Sequence, residues 1–286
     1  MSWQAVAEKD FRDAIRSRLL VVLTALFALF AAGAAYVVTE IDPPQQAQFT
    51  GEVTTVLLIV GLVQATAVFI PIVAIAVAYR ALAGERESGS LKLLLSLPNS
   101  RRDIVFGKFL GRSGVVAAAL LVGFSIGLVV TAALADAFSP LEYLTFVFIS
   151  LLFAFVFVAI TVGISAFTAS TSRAAYAAFG LFAVFQFLWS LLARGLVYVL
   201  NGFSFEGIEE GDVLFQLFQF LSILDPTSAY SQATVWVVRR IADSEEAQSA
   251  ADAAFYLQDW FGFVILAVWI AVPLAVGYLR FEAVDL

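Results

Sequence analysis

The side chains in this sequence that could do chemistry are carboxylates, guanidiniums, hydroxyls and three lysines; its 286 residues include no histidine and no cysteine, and the only methionine is the first residue. Without imidazole or thiol there is no ordinary base for a serine nucleophile, no soft-metal ligand set and no disulfide framework. No pair of aspartates falls within an apolar stretch, as an intramembrane aspartyl mechanism would need. Gly107-Lys108 lacks both the earlier glycine and the following hydroxyl of a phosphate-cradling G-x-x-x-x-G-K-[ST] loop. The expectation is a chain with no catalytic residues, no metal and no cofactor of its own, and an intramembrane enzyme is the weakest of the functional classes.

The polar residues left inside apolar stretches are few. Gln186, Ser190 and Arg194 recur every fourth residue on one helical face, and Thr161, Ser165 and Thr168 share another. An intramembrane arginine is by default a functional candidate. Arg194, however, is about six residues from the outer end of its stretch, roughly 9 Å at helical rise, so it can snorkel or meet an outer carboxylate. Gln186, Ser190 and Arg194 are therefore candidates for a translocation path, with snorkelling the competing account of the arginine.

The elements that must hold these residues follow from composition. Hydrophobic residues make up 62% of the chain and charged residues 14%, against roughly 45–50% and about 25% in soluble domains. Only a bilayer accommodates that much apolar surface. Six stretches approach the roughly 20 residues needed to cross it, at about 19–39, 53–79, 113–135, 143–168, 175–200 and 260–279. The first is expected to be retained rather than cleaved as a signal peptide, because its apolar core is too long and Glu8, Asp10 and Asp13 precede it. The expected fold is all-α and integral to the membrane, one transmembrane domain over residues 1–286.

Orientation follows from lysine and arginine. Lys9, Arg12, Arg16 and Arg18 precede the first stretch, seven basic residues from Arg80 to Arg112 separate the second from the third, Arg173 divides the fourth from the fifth, and Arg280 follows the last; 40–52 and 136–142 carry none. Both termini are expected in the cytoplasm and the long 201–259 segment outside. That segment holds Glu206, Glu209, Glu210, Asp212, Asp243, Glu245, Glu246, Asp252 and Asp259. Such density, with lysine scarce, fits a halophile's salty exterior, where screening makes crowded carboxylates tolerable; an ordinary solubilising loop is the alternative.

Residues 2–18 set Trp3, Ala7, Phe11, Ala14 and Ile15 on one helical stripe, as for an amphipathic helix lying in the inner lipid interface. Between the second and third stretches, Ser88 or Ser90 can cap a short helix with Leu91, Leu94 and Leu95 on one side; Pro98 biases Leu97 out of the helical region, and Ser100-x-x-Asp103 starts the next helix. Three leucines on such a turn need a cover, either a groove on a soluble partner or the lipid interface. Beyond the fifth stretch, Asp212 is placed to cap a run of about 12 residues, roughly 18 Å and too short to span. Asp225 and Pro226 fit the N-cap and first position of a second helix. Glycines at 107, 111, 123 and 127 permit close helix packing or dimerisation, and Pro71 and Pro273 interrupt the bonding of their helices.

The run Glu85-Arg86-Glu87-Ser88-Gly89-Ser90-Leu91-Lys92-Leu93-Leu94-Leu95-Ser96-Leu97-Pro98, followed by Ser100-Arg101-Arg102 and Gly107-Lys108-Phe109, resembles the intracellular loop of ABC-2-type transporter permeases, in particular the branch associated with nitrous-oxide-reductase maturation. The likeness continues through Ala7-Glu8-Lys9-Asp10-Phe11, the six spans and Leu224-Asp225-Pro226-Thr227-Ser228-Ala229-Tyr230. It implies a coupling helix in that loop, with Glu85, Glu87, Gly89, Leu91, Leu94, Leu95 and Pro98 forming or supporting contact with a separate ATP-binding subunit that holds ATP and Mg. It further implies a connecting helix at the N-terminus and outer helices around Asp225 and Pro226 that re-enter the membrane and can gate a path. A second permease copy, identical or related, surrounding lipid, a cell-membrane location, no nucleic acid and transport by export complete the expectation. A passive channel or assembly factor, or for the outer helices a plain amphipathic hairpin, are the alternatives. The branch raises copper or a sulfur species as cargo, but no Cys, His or internal Met is present to ligate copper along a path.

Overall fold

The computed structural model describes residues 3–41, 54–91, 100–209, 211–241 and 254–283. Five of its α-helices begin at a small hydroxyl residue, because the first N–H groups of a helix have no partner in the helix itself. Helix α1 (Trp3–Ile15) is followed by α2 (Arg18–Tyr36), capped by Ser17 and prolonged by a π-helical turn Val37–Ile41. Thr54 caps α3 (Thr55–Ala78), and a turn leads into the short α4 (Ala83–Glu87). The expected start at Ser100 is a full capping box: Asp103 N donates to Ser100 Oγ at 3.1 Å and Ser100 N to Asp103 Oδ2 at 3.2 Å. With that cap, α5 runs unbroken over Arg101–Leu134 and extends well before the apolar stretch that begins near residue 113.

Ser139 and Pro140 open α6 (Pro140–Phe167), and Ser170 opens α7 (Thr171–Ala183). A π-helical turn, Val184–Leu188, joins α7 to α8 (Trp189–Leu200). Then come α9 (Val213–Ile223), α10 (Pro226–Ile241), a 3-10 turn Phe255–Leu257 and α11 (Asp259–Glu282). Among the described residues six helical stretches are long and apolar enough to cross a membrane: Arg18–Thr39, Thr55–Glu87, Arg101–Leu134, Pro140–Phe167, Thr171–Leu200 and Trp260–Glu282. They match the six expected from composition. Asp212 stands at the N-cap of α9 as expected, but its Oδ2 accepts from Glu209 N at 2.9 Å instead of from the helix, so it closes the preceding loop.

Helix α6 is the centre: 72% of its apolar window is buried within the chain, against 17% for Thr171–Leu200. Around it α3, α5, α10 and α11 pack through rings and small residues. Phe27, Phe124 and Phe146 meet edge to face at centroid distances of 5.1 and 5.5 Å. Since lipid is as apolar as these side chains, such packing and the internal hydrogen bonds, rather than water exclusion, hold a membrane bundle together. Pro71 and Pro273 both lie within continuous helices. The spans alternate in direction. Arg101 Nη1 donates to Phe281 O and Glu282 O at one end, while Thr55 N donates to Ala137 O at the other. The first of these ends carries the basic loops, the second the acidic segment.

Helix α1 lies along the start of α5. A β-carbon at Gly107 would come within 2.7 Å of Val6 Cβ, and one at Gly111 within 2.9 Å of the Ala7 carbonyl oxygen, so only glycine admits α1 this closely. Gly123 and Gly127 face Phe27, Ala31 and Tyr143 in the same chain. The glycine spacing is thus used for packing within the subunit. The buried face of α1 is Val6, Asp10 and Ala14. It is turned from the expected stripe, with Trp3 and Ile15 at its exposed margins, because the glycine groove draws in the side that carries Asp10.

Candidate functional site

At the basic end a buried charge cluster joins three elements. Asp10 and Lys108 are 4% and 6% exposed. Lys108 Nζ lies 2.7 Å from Asp10 Oδ1 and also pairs with Glu85 Oε1. Arg112 completes the group: its Nη2 donates to Asp10 Oδ1 at 3.1 Å, its Nε stands 2.8 Å from Asp10 Oδ2, and its Nη1 donates to Val77 O at 3.0 Å in the last turn of α3. Two carboxylates and two cations cancel, which is the condition under which charges survive away from water.

The residues after α3 tie this cluster to the remaining spans. Ser165 of α6 accepts from Leu82 N and Ala83 N at 3.1 and 2.9 Å and donates to Tyr79 O at 2.9 Å, so it holds the turn into α4. The next three residues part company. Glu85 points to Lys108, Arg86 lies 5.1 Å over the Phe281 ring at the end of α11, and Glu87 Oε2 accepts from Thr171 N at 3.0 Å at the start of α7.

Of the coupling residues expected from sequence, Glu85 is half-buried and inward, whereas Glu87 is exposed. Gly89 has φ of +75°, a left-handed conformation that suits glycine. Leu91 was expected on a face needing an outside cover, but it is only 2% exposed because its own chain covers it. Leu94, Leu95 and Pro98 lie outside the described residues.

At the acidic end α9 and α10 form a hairpin whose tip reaches deep into the bundle. Trp189 Nε1 donates to Leu221 O at 2.9 Å, and Trp269 Nε1, midway along α11, to Leu224 O at 2.8 Å. Indole donors thus bond carbonyls at the end of α9, where Leu221 O also accepts from Leu224 N at 3.2 Å. Asp225 is 2% exposed, and its Oδ1 accepts from Thr227 N and Ser228 N at 2.9 and 3.0 Å, giving the N-cap expected of it, with Pro226 in the first turn. Tyr230 follows one turn on. Its hydroxyl lies 2.9 Å from Thr66 Oγ1 and 2.8 Å from Ser150 Oγ, and its ring stacks on Phe153 at 4.3 Å. Irregular backbone is tolerated at such depth only when its polar groups are met like this.

Beside the tip is a cavity of about 340 Å³ lined by Gln64, Gln186, Trp189, Ser190, Ser222, Asp225, Thr227, Ser228 and Ser231 together with Phe185. Three of the path candidates, Gln186, Ser190 and Asp225, therefore meet at one place. Gln186 belongs to the π-helical turn Val184–Leu188, a form of irregularity frequent at functional sites. Arg194 does not join them. It lies in a separate cavity of about 380 Å³ with Phe205, Phe215 and Phe218, and its guanidinium is 6.0 Å from the Phe218 ring.

Sequence reasoning passed over four residues that the fold makes central. Asp10 was visible as an acid four residues after Val6 and four before Ala14, on the same helical face, and Gln64 as a lone amide midway through an apolar run. Lys108 stood only as one of seven basic residues between the second and third stretches, without its partner. Tyr230 carried no local signal of its own.

A family model described as ABC-2 family transporter protein matches residues 4–286. The chain is similar to the probable ABC transporter permease protein NosY of Pseudomonas aeruginosa, with 31% identity over 229 residues that cover 79% of this chain and 78% of that protein. The corresponding protein of Stutzerimonas stutzeri is 30% identical over the same shares.

Proposed function

The chain belongs to the ABC-2 transporter family, and on that premise we propose that this multi-pass permease subunit exports its substrate, driven by ATP hydrolysis on a separate ATP-binding-cassette subunit that holds the ATP and Mg. The basic end faces the cytoplasm with both termini, and the acidic end faces out from the cell membrane, in keeping with the positive-inside bias and, for the crowded carboxylates, with a salty medium. Residues 1–286 act as a single transmembrane domain.

One observation carries the coupling: three consecutive residues, Glu85, Arg86 and Glu87, connect to α5 with α1, to α11 and to α7 respectively. A displacement of the following segment by an ATP-binding partner is thereby delivered to several spans together. Leu94, Leu95 and Pro98 form the contact, and Glu85, Gly89 and Leu91 support it. For the switch to run, nucleotide must favour one arrangement over the other, since equal affinity shifts nothing.

The polar cavity at the tip of α9 and α10 lies on the translocation path, and Asp225 with Pro226 forms part of its gate. Gln64 and Ser190 are exposed on the cavity's open side, midway along their spans. Polar groups at that depth face other protein or a water-filled path rather than lipid, so a second permease copy, identical or related, closes that side. Arg194 sits outside this path and snorkels toward the outer surface.

The test is co-expression with the neighbouring ATP-binding subunit, followed by co-purification and ATPase assay of wild type and a Leu94→Arg, Leu95→Arg variant. Wild-type co-elution with loss of the partner from an inserted variant supports the reading. If wild type binds no ATPase, the transporter assignment falls and a passive channel or assembly factor replaces it.

A further inference from the structure

The cavity at the hairpin tip has a chemical bias that points to its ligand. Hydroxyls and amides line it, with one carboxylate, and no lysine or arginine is among its lining residues. Gln186 Oε1 is buried without a hydrogen-bond partner among the described residues, and the Thr227 hydroxyl, which lies against the Asp225 carboxyl, is buried with its acceptor positions unused. An unmet buried acceptor is costly, and the residues that carry these two atoms line the same space. Oxygen Oδ1 of Asp225 is engaged by the first turn of α10, and its carboxylate gives the cavity a negative bias.

We propose that this cavity binds the transported molecule through a non-anionic group that donates hydrogen bonds, an amine or a hydroxyl, with Gln186 Oε1 and Thr227 Oγ1 as its acceptors. The proposal rests on the permease reading and adds the substrate class to it. The geometry agrees on three points. The carbonyl oxygen of Gln186 can accept only from a donor, and the hydroxyl of Thr227 takes a donor equally well. An anion would meet Asp225 without a compensating cation. The π-helical turn turns Gln186 into the cavity at the level where α10 begins, and Trp189 supplies an aromatic wall. A volume of about 340 Å³ admits a molecule of sugar size.

Three hexose probes of nearly equal size separate the possibilities: glucosamine, glucose and glucuronate. Binding is measured by titration calorimetry on the nucleotide-free complex with its ATP-binding subunit in lipid nanodiscs. Glucosamine is expected to bind at least tenfold more tightly than glucuronate, with glucose between them if hydroxyl donors suffice. Gln186→Leu and Thr227→Val should each weaken glucosamine binding by about tenfold. Asp225→Asn should narrow the gap between glucosamine and glucuronate, and thermal unfolding of each variant checks that it is folded.

Glucuronate binding as tightly as glucosamine, no probe binding, or folded Gln186→Leu binding like wild type would each overturn the proposal. These results are independent of coupling. Probe binding to a complex whose ATPase ignores the permease refutes the transporter reading alone, and a coupled complex that binds no probe refutes the ligand assignment alone.

Discussion

Lys108 and Asp10, 98 residues apart in the chain, meet at 2.7 Å with both side chains buried. The pair is the mechanical root of α1: glycines at 107 and 111 bring the helices together, and the charges lock their register. Without Lys108, Asp10 keeps only Arg112 and Glu85 loses its cation, so the cluster is left with one negative charge in excess. Lys108→Met is therefore expected to cost about 3–5 kcal/mol, whereas Asp10→Asn combined with Lys108→Met, which leaves one cation, Arg112, and one carboxylate, Glu85, should recover part of that loss. Thermal melting of the detergent-purified proteins measures both, and a Lys108→Met protein melting like wild type would refute the assignment.

Tyr230 secures the re-entering hairpin to α3 and α6. Tyr230→Phe keeps the stack on Phe153 but removes the hydroxyl from Thr66 and Ser150. Thr66 retains bonds to Leu62 O and Val63 O, so the cost should stay near 1–3 kcal/mol, about that of two hydrogen bonds. Hydrogen exchange over 226–235 should quicken while that of α6 holds. Equal protection in the two proteins would show that the hydroxyl does not anchor the hairpin.

Glu87 is exposed and yet holds the first turn of α7. Glu87→Gln should leave insertion and co-elution with the ATP-binding subunit intact while the ATPase rate of the complex falls severalfold toward that of the isolated subunit. An unchanged rate would mean that motion does not pass through this residue.

The absence of cysteine makes the orientation directly testable. A membrane-impermeant maleimide should label Glu206→Cys in intact cells and Ser88→Cys only after permeabilisation. The reverse pattern would invert the topology and with it the identity of the cytoplasmic end.

Local chemistry made much of this architecture readable. Six spans follow from apolar length, the start of α5 from Ser100 and Asp103, and the start of α10 from Asp225 and Pro226, because each signal lies within a few residues of its effect. Long-range pairings left no such trace. Nothing near Lys108 names Asp10 as its partner, nothing near Tyr230 names Thr66 or Ser150, and the π-helical turn that carries Gln186 has no residue signature. Leu91 shows the same limit from the opposite side: its apolar character was plain, but whether its own chain or a partner covers it depends on the packing of helices remote in sequence.

The cluster around Asp10 also dictates an order of events during biosynthesis. At a ribosome adding roughly 5–20 residues per second, α1 emerges several seconds before Lys108 and Arg112 exist, and α2 must enter the bilayer in that interval. Until α5 arrives, Asp10 has neither counterion, so α1 must wait at the aqueous margin of the membrane with its acid hydrated. Its docking is then a checkpoint: only a chain whose third span has been inserted with its basic end on the same side as the N-terminus can seat its first helix.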